Sequence, residues 1–81
     1  MNRGKKLKQM RRFINKYGVI DKEYDRPPDK TFPPYRKGSY FANFYSNEFA
    51  ISFSVGDVDK YSVYKDIVEL IKERRMEKEN V

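Results

Sequence analysis

The cations near the start of the chain are the residues with the clearest chemical potential. Before Asp21 the sequence has no acidic residue but seven cations: Arg3, Lys5, Lys6, Lys8, Arg11, Arg12 and Lys16. Lysine and arginine bind phosphates and release the counterions condensed on nucleic acid, which makes binding salt-dependent. An ordinary solvated helix face is the alternative. The absence of acids favours phosphate contacts, so we predict that these seven residues bind nucleic acid.

The stretch PPYRKGSYFANFY places aromatic side chains beside the cations Arg36 and Lys37. Bases stack on exposed aromatic rings without regard to base identity, and nearby cations hold the backbone. We therefore predict that Tyr35, Phe41 and Tyr45 form a stacking or partner surface, with Arg36 and Lys37 contacting phosphates. The alternative is that a helix of the same chain, or a second copy in a dimer, covers these rings.

Catalytic and metal chemistry have little support in the sequence. The chain has no Cys and no His, which removes thiol nucleophiles, imidazole acid–base catalysis and the usual ligands of structural zinc. The pair Asp57 and Asp59 could resemble Mg²⁺ ligands, but Gly-Asp before a helix is typical of a turn and an N-cap. We predict a non-enzyme that uses no metal and no cofactor.

The pattern of apolar residues and prolines predicts a small α+β fold in one domain. The predicted order is a basic helix at residues 1–20, a proline-rich extended linker at 21–39, a β-hairpin at 40–55, a helix at 57–76 and a frayed tail at 77–81. Gly18 should end the first helix in a Schellman motif, with Val19 packed on Ile14. Two strands make a marginal sheet, so a third strand from the linker, or a dimer, should complete it.

Alternation in the hairpin assigns its side chains to two faces. We expect Tyr40 and Phe44 on the core face with the strand that starts at Phe49, and Phe41 and Tyr45 on the other face. A two- or four-residue loop pairs Phe44 with Phe49. A three-residue loop would turn the polar amide of an asparagine into the core, where an unpaired polar group costs about 1–3 kcal/mol, so the first register is favoured.

The uneven distribution of charge along the chain indicates what kind of partner the protein binds. Residues 1–40 carry twelve Lys/Arg and four Asp/Glu, and residues 41–81 carry six and eight, which gives +8 and −2 and the net +6 of the chain. This asymmetry favours nucleic acid or an acidic protein surface as the partner. No apolar run is long enough for a membrane span, and we expect a cytoplasmic protein.

Two functions follow as hypotheses. The first is a small basic nucleic-acid-binding protein of low sequence specificity, for DNA or RNA. The second is an inhibitor or adaptor that binds a host protein, because a small Lys-, Asn- and Tyr-rich chain without Cys is typical of accessory proteins of phages and mobile elements. A homodimer formed through the Phe41/Tyr45 face is a further possibility.

Overall fold

The computed structural model describes residues 2–27 and 39–79 of the 81-residue chain. The elements follow in the order α1 (Arg3–Tyr17), β1 (Val19–Arg26), β2 (Ser39–Ser46), β3 (Ile51–Asp57) and α2 (Lys60–Glu79). The three strands form one antiparallel sheet in the order β1-β2-β3. The predicted small α+β fold is therefore confirmed. Within the described ranges, neither helix combines the length and apolar character needed to cross a bilayer.

Helix α1 begins at a side-chain cap and ends before Gly18, the glycine predicted to stop it within the segment 1–20. The side chain of Asn2 accepts a hydrogen bond from the backbone N–H of Lys5 at 2.9 Å, which satisfies one of the free N–H groups of the first turn. The helix ends at Tyr17, and the amide of Gly18 bonds to the carbonyl of Ile14 at 3.0 Å. The residues after Gly18 belong to the sheet.

Gly18 has a different role from the one predicted. Its φ of −177° is extended and not left-handed, so the predicted Schellman ending is wrong. A Cβ on Gly18 would lie 2.1 Å from the carbonyl oxygen of Tyr45 and 2.8 Å from the ring of Phe44. Glycine is required because β2 passes directly against the chain here. Val19 consequently pairs with Tyr45 in the sheet and is 61% exposed, so it does not pack on Ile14 as predicted.

Strand β1 supplies the third strand, and six of its eight residues come from the segment predicted as a linker. Asp21 pairs with Asn43 and Tyr24 pairs with Phe41, so two residues of β1 lie opposite Ala42 alone. This is a β-bulge, and its first residue, Lys22, has a φ of 52°. The extra residue shifts the alternation of side chains along β1. Asp21 before the bulge and Tyr24 after it therefore lie on the same face of the sheet. The rest of the predicted linker, from residue 28 to 38, lies outside the described residues.

The β2–β3 hairpin has the predicted faces but a different register. Phe44 pairs with Phe53 and not with Phe49, because the chain turns over residues 47–50 and Phe49 belongs to the turn. The buried hydroxyl of Ser46 donates to the carbonyl of Tyr17 and accepts from the amide of Phe49. The Phe49 ring then stacks on Tyr17 at 5.7 Å. Contact with α1 therefore removes Phe49 from the strand.

Both helices pack on one face of the sheet. The buried core contains Ile14 from α1, Ala42 and Phe44 from β2, and four residues of α2, which are Val63, Tyr64, Ile67 and Ile71. Tyr40, predicted as a core residue, packs against this cluster and is partly buried. We call the opposite face of the sheet the outer face. No described residue of either helix covers it.

Helix α2 starts at an aspartate cap and runs further than predicted. Asp59 accepts from the backbone N–H of Ser62 at 2.8 Å, which selects it among the candidate caps. The helix continues to Glu79, three residues beyond its predicted end at residue 76. Lys78 lies 3.7 Å from Glu48 in the hairpin turn and 5.7 Å from the ring of Phe49. These contacts hold the last turns of the helix against the body of the fold.

Candidate nucleic-acid interface

Four of the predicted phosphate-binding cations share one face of α1. Relative to the buried Ile14, a helical turn of 100° per residue places them on the opposite side. All four are exposed, and within residues 2–27 and 39–79 none forms an ion pair. We call this set the basic stripe, and its members are Lys5, Lys8, Arg12 and Lys16. At 1.5 Å per residue the stripe is about 16 Å long.

The remaining three predicted cations of α1 have other surroundings. Arg3 lies 3.7 Å from Asp59 and 5.0 Å from the ring of Tyr61. Arg11 lies 3.2 Å from Glu23 and forms an ion pair with it inside the chain. Lys6 is exposed and lies toward the apolar side of the helix, away from the stripe. The structure therefore divides the predicted set into a stripe of four and three cations with separate environments.

Glu23 organises a polar cluster between the sheet and both helices. Its carboxylate accepts hydrogen bonds from the hydroxyl of Tyr40 at 3.0 Å and from that of Tyr64, and it pairs with Arg11. Burial raises the pKa of Glu23, but the two tyrosine hydroxyls and the Arg11 charge outweigh burial, so the pKa lies below its usual value. The carboxylate is therefore charged at neutral pH, and its contacts join β1 to β2, α1 and α2.

The pKa values of Tyr40 and Tyr64 shift upward, opposite to that of Glu23. Burial, followed by the hydrogen bond to the Glu23 carboxylate and its charge, raises the pKa of Tyr40 to about 12. The same causes raise the pKa of Tyr64 above its usual value. Both hydroxyls thus remain donors throughout the physiological range. The sequence predicted an extended linker for the segment that contains Glu23, and the bulge at Lys22 turns this carboxylate inward.

The outer face of the sheet carries the predicted aromatics and one that was missed. Tyr45 is 42% exposed and Tyr24 of β1 is 59% exposed. Phe41 lies between the strands, where its ring stacks on Tyr24 at 5.1 Å with planes 21° apart. A Cβ on Gly56 would lie 2.7 Å from the Phe41 ring, so this ring also covers the backbone of β3. The described contacts of the Phe41 ring with Tyr24 and Gly56 thus come from its own sheet.

Polar side chains fill the outer face between the aromatics. Ser54 donates a hydrogen bond to the amide oxygen of Asn43, and Ser52 pairs with Tyr45 across the strands. In a strand that rises about 3.3 Å per residue, Phe41 and Tyr45 stand about 13 Å apart. We call the set of Tyr24, Phe41 and Tyr45 the aromatic row. Tyr24 was not identified in the sequence because its segment was predicted as a linker, and regular alternation along a strand would have placed it on the core face.

The basic stripe and the aromatic row lie on opposite sides of the domain. Helix α1 packs on the core face, and its stripe points away from the sheet, whereas the aromatic row occupies the outer face. The cations predicted to contact phosphates and the aromatics predicted to stack on bases therefore lie on different faces of the domain. Tyr35, Arg36 and Lys37, predicted to flank the aromatics, lie outside the described residues.

Two neighbouring acidic side chains, Asp66 on α2 and Asp57 on β3, have shifted pKa values. Burial, together with the neighbouring Asp57 carboxylate, raises the pKa of Asp66 to about 6, while the pKa of Asp57 is lowered by its contacts with Asp66 and with the amide of Val58. Asp66 is thus largely charged at neutral pH. In the described part of the chain, no three acidic side chains converge closely enough to hold a metal ion.

Comparisons with known proteins give no match: no family model, no curated protein and no solved structure is similar to this chain.

Proposed function

We propose that this protein is a small nucleic-acid-binding protein of low sequence specificity. The observation that carries the proposal is the basic stripe on α1. Four cations without a described ion-pair partner lie on one rigid helix face that has no acidic residue. A row of this kind matches the regular negative charge of a phosphate backbone, and such contacts position a protein without reading bases.

The aromatic row supports binding of single strands as a second contribution. Tyr24 and Tyr45 are exposed on an open sheet face and Phe41 is held in place between neighbouring strands. Stacking a base on an aromatic ring stabilises a complex by about 1–3 kcal/mol and is available only where bases are unpaired. Since the row lies on the opposite side from the stripe, we expect it to act separately from the phosphate contacts.

The experiment is a titration of labelled single- and double-stranded oligonucleotides at several salt concentrations. The double variant Lys8→Gln/Arg12→Gln removes two stripe cations, and each phosphate contact contributes about 0.7 to 0.9 to the slope of log K against log salt. We therefore expect the slope to fall by about 1.5. The matched control is Lys65→Gln/Lys72→Gln, which removes the same charge from exposed positions of α2 and should leave the slope nearly unchanged.

The titration also separates the proposal from its rivals. If the unmodified chain binds neither oligonucleotide at low salt, nucleic-acid binding is excluded. If the two double variants reduce the slope equally, net charge and not the stripe drives binding. An inhibitor or adaptor that binds a host protein would instead retain its partner after nuclease treatment and show no salt-dependent affinity for oligonucleotides.

A further inference from the structure

The two edges of the sheet differ in how they are protected. Strand β1 carries charged side chains and a bulge along its length, which are the usual means of preventing one sheet edge from pairing with another. Strand β3 has no charged residue, no proline and no bulge from Ile51 to Gly56. Among the described residues, nothing pairs with its free edge. Within the described part of the chain, the β3 edge from Ile51 to Gly56 therefore carries none of these devices against strand addition.

The sequence of β3 is symmetric about its centre. It reads Ile-Ser-Phe-Ser-Val around Phe53. If two copies pair antiparallel about Phe53, Ile51 lies opposite Val55 and Ser52 lies opposite Ser54. Residues directly opposite each other share a face of the sheet, so the apolar residues of both copies would lie on the core face and the serines on the outer face.

The groove between β3 and α2 has charges that match the same symmetry. Its lining includes Phe53 and Leu70, with Asp66 and Arg74 as its charged members. Asp66 contacts Asp57 at the end of β3, whereas Arg74 also borders the turn before β3. The two charges therefore stand at opposite ends of the strand. A two-fold axis at Phe53 would place Arg74 of each copy near Asp66 of the other.

We propose that a second copy of this chain occupies the β3 edge, paired antiparallel about Phe53, so that the two three-stranded sheets form one sheet of six strands. Repulsion between the basic stripes of the two copies is limited in this arrangement. In each copy α1 packs on α2 and β1, so its stripe lies toward the β1 edge, far from the paired β3 strands. The outer faces of both copies join into one surface. The proposal goes beyond nucleic-acid binding and does not depend on it.

Sedimentation of the nucleic-acid-free full chain tests the dimer and its charge pairing. The monomer has a mass of 9.8 kDa, and we expect twice that mass at high protein concentration. Asp66→Arg or Arg74→Asp alone should raise the dimer dissociation constant by roughly tenfold or more, since each sets like charges opposite each other. The double variant Asp66→Arg/Arg74→Asp restores the pairing and should restore the dimer, while far-UV circular dichroism verifies that each variant is folded.

Engineered cysteines test the register, because the chain has no cysteine of its own. A mixture of the variants Ser52→Cys and Ser54→Cys should form disulfide-linked dimers on mild oxidation. Each variant alone should crosslink several-fold less, because like positions are diagonal neighbours about 7–8 Å apart and disulfides favour Cα separations below about 7 Å. Equal crosslinking in the single variants contradicts this register.

Two outcomes overturn the proposal. One is a chain that stays monomeric at concentrations near 1 mM, where a dimer with a dissociation constant of about 1 mM would already be half formed. The other is a dimer that is insensitive to the charge exchange but is disrupted by Tyr45→Arg, because this would place the contact on the outer face instead of the β3 edge.

Discussion

At the scale of single residues, Glu23 is the clearest example of a side chain whose role depends on its surroundings. It joins β1 to α1 through Arg11 and to α2 through Tyr64, with Tyr40 as a further donor. The side chain is only 20% exposed. Loss of its carboxylate would leave partly buried hydroxyls and a guanidinium without their acceptor.

Substitution of Glu23 should therefore affect stability in a pH-dependent way. Glu23→Ala should destabilise the fold by about 1–3 kcal/mol, the typical cost of leaving buried partners unsatisfied. Glu23→Gln keeps an acceptor for the tyrosines and should cost less. The folded-state pKa of Glu23 is lowered, so its stabilising charge is present above the unfolded-state pKa and is lost as the pH falls through the folded-state pKa.

Urea unfolding at pH 7 and at about pH 3 measures this difference. The unmodified chain should lose more stability on acidification than Glu23→Gln does, because the variant lacks the titrating group. Identical losses in the two proteins would show that the cluster contributes no pH-dependent stability.

At the scale of elements, the alternation of apolar residues predicted both faces of β2 correctly but not its partners. Tyr40 and Phe44 lie on the core face, and Phe41 and Tyr45 lie on the outer face, as expected. The register differs because the chain turns over residues 47–50, where the Phe49 ring stacks on Tyr17 of α1. Contacts between elements decided this position, and local alternation carries no information about them.

Strand β1 is a second place where the alternation of apolar residues did not predict the structure. A bulge adds one residue and reverses the alternation beyond it, so Glu23 and Tyr24 exchange the faces that a regular strand would give them. The charged segment from Asp21 to Arg26 resembles a loop in composition. Its pairing with β2 is visible only in three dimensions, and so the polar cluster and one third of the aromatic row escaped detection.

The junction of α1 and β1 gives a prediction at this scale. Gly18→Ala places a methyl group 2.1 Å from the Tyr45 carbonyl oxygen, so β2 must move away from the helix end. We expect destabilisation of about 1–3 kcal/mol, as for other overpacked sites, seen as a lower midpoint of thermal unfolding. The matched control is Gly4→Ala, whose methyl group would meet only the Asn2 side chain at 3.4 Å.

The control should change stability in the opposite direction. Alanine is favoured over glycine inside a helix by about 0.5–1 kcal/mol, and Gly4 lies in the first turn of α1. A destabilising Gly4→Ala, or a neutral Gly18→Ala, would contradict the close approach described at the junction.

At the scale of the whole molecule, the sheet separates two surfaces of different chemistry. The basic stripe is exposed on the helical side and the aromatic row on the outer face. The sequence presents their residues as neighbours within a short basic and aromatic chain, and it could not show that they point in opposite directions. Composition thus predicted the kinds of contact but not their arrangement.

This separation predicts independent effects on binding to single strands. Tyr45→Ala should weaken binding by about 1–3 kcal/mol without altering the salt slope, while Lys8→Gln/Arg12→Gln lowers the slope. Because distant sites without shared partners are additive to within about 0.5 kcal/mol, the combined variant should lose the sum of the two effects. Met76→Ala, exposed on α2, is the control for loss of an exposed apolar side chain.

A fluorescence titration of the unmodified chain and the four variants gives the required binding energies. Strong non-additivity between the tyrosine and the stripe substitutions would mean that one ligand segment touches both, which contradicts their placement on opposite sides.

The hydrogen bond between Ser46 and the Tyr17 carbonyl has a consequence for the order of folding. It joins positions 29 residues apart, so this part of the α1 contact depends on non-local structure, and β-hairpin formation, at about 1–10 μs, is slower than helix formation, at about 0.1–1 μs. We expect α1 to form and dissolve as an isolated helix until the hairpin is complete. Amides at the end of α1 should then gain protection from hydrogen exchange together with those of the hairpin turn, as one cooperative unit.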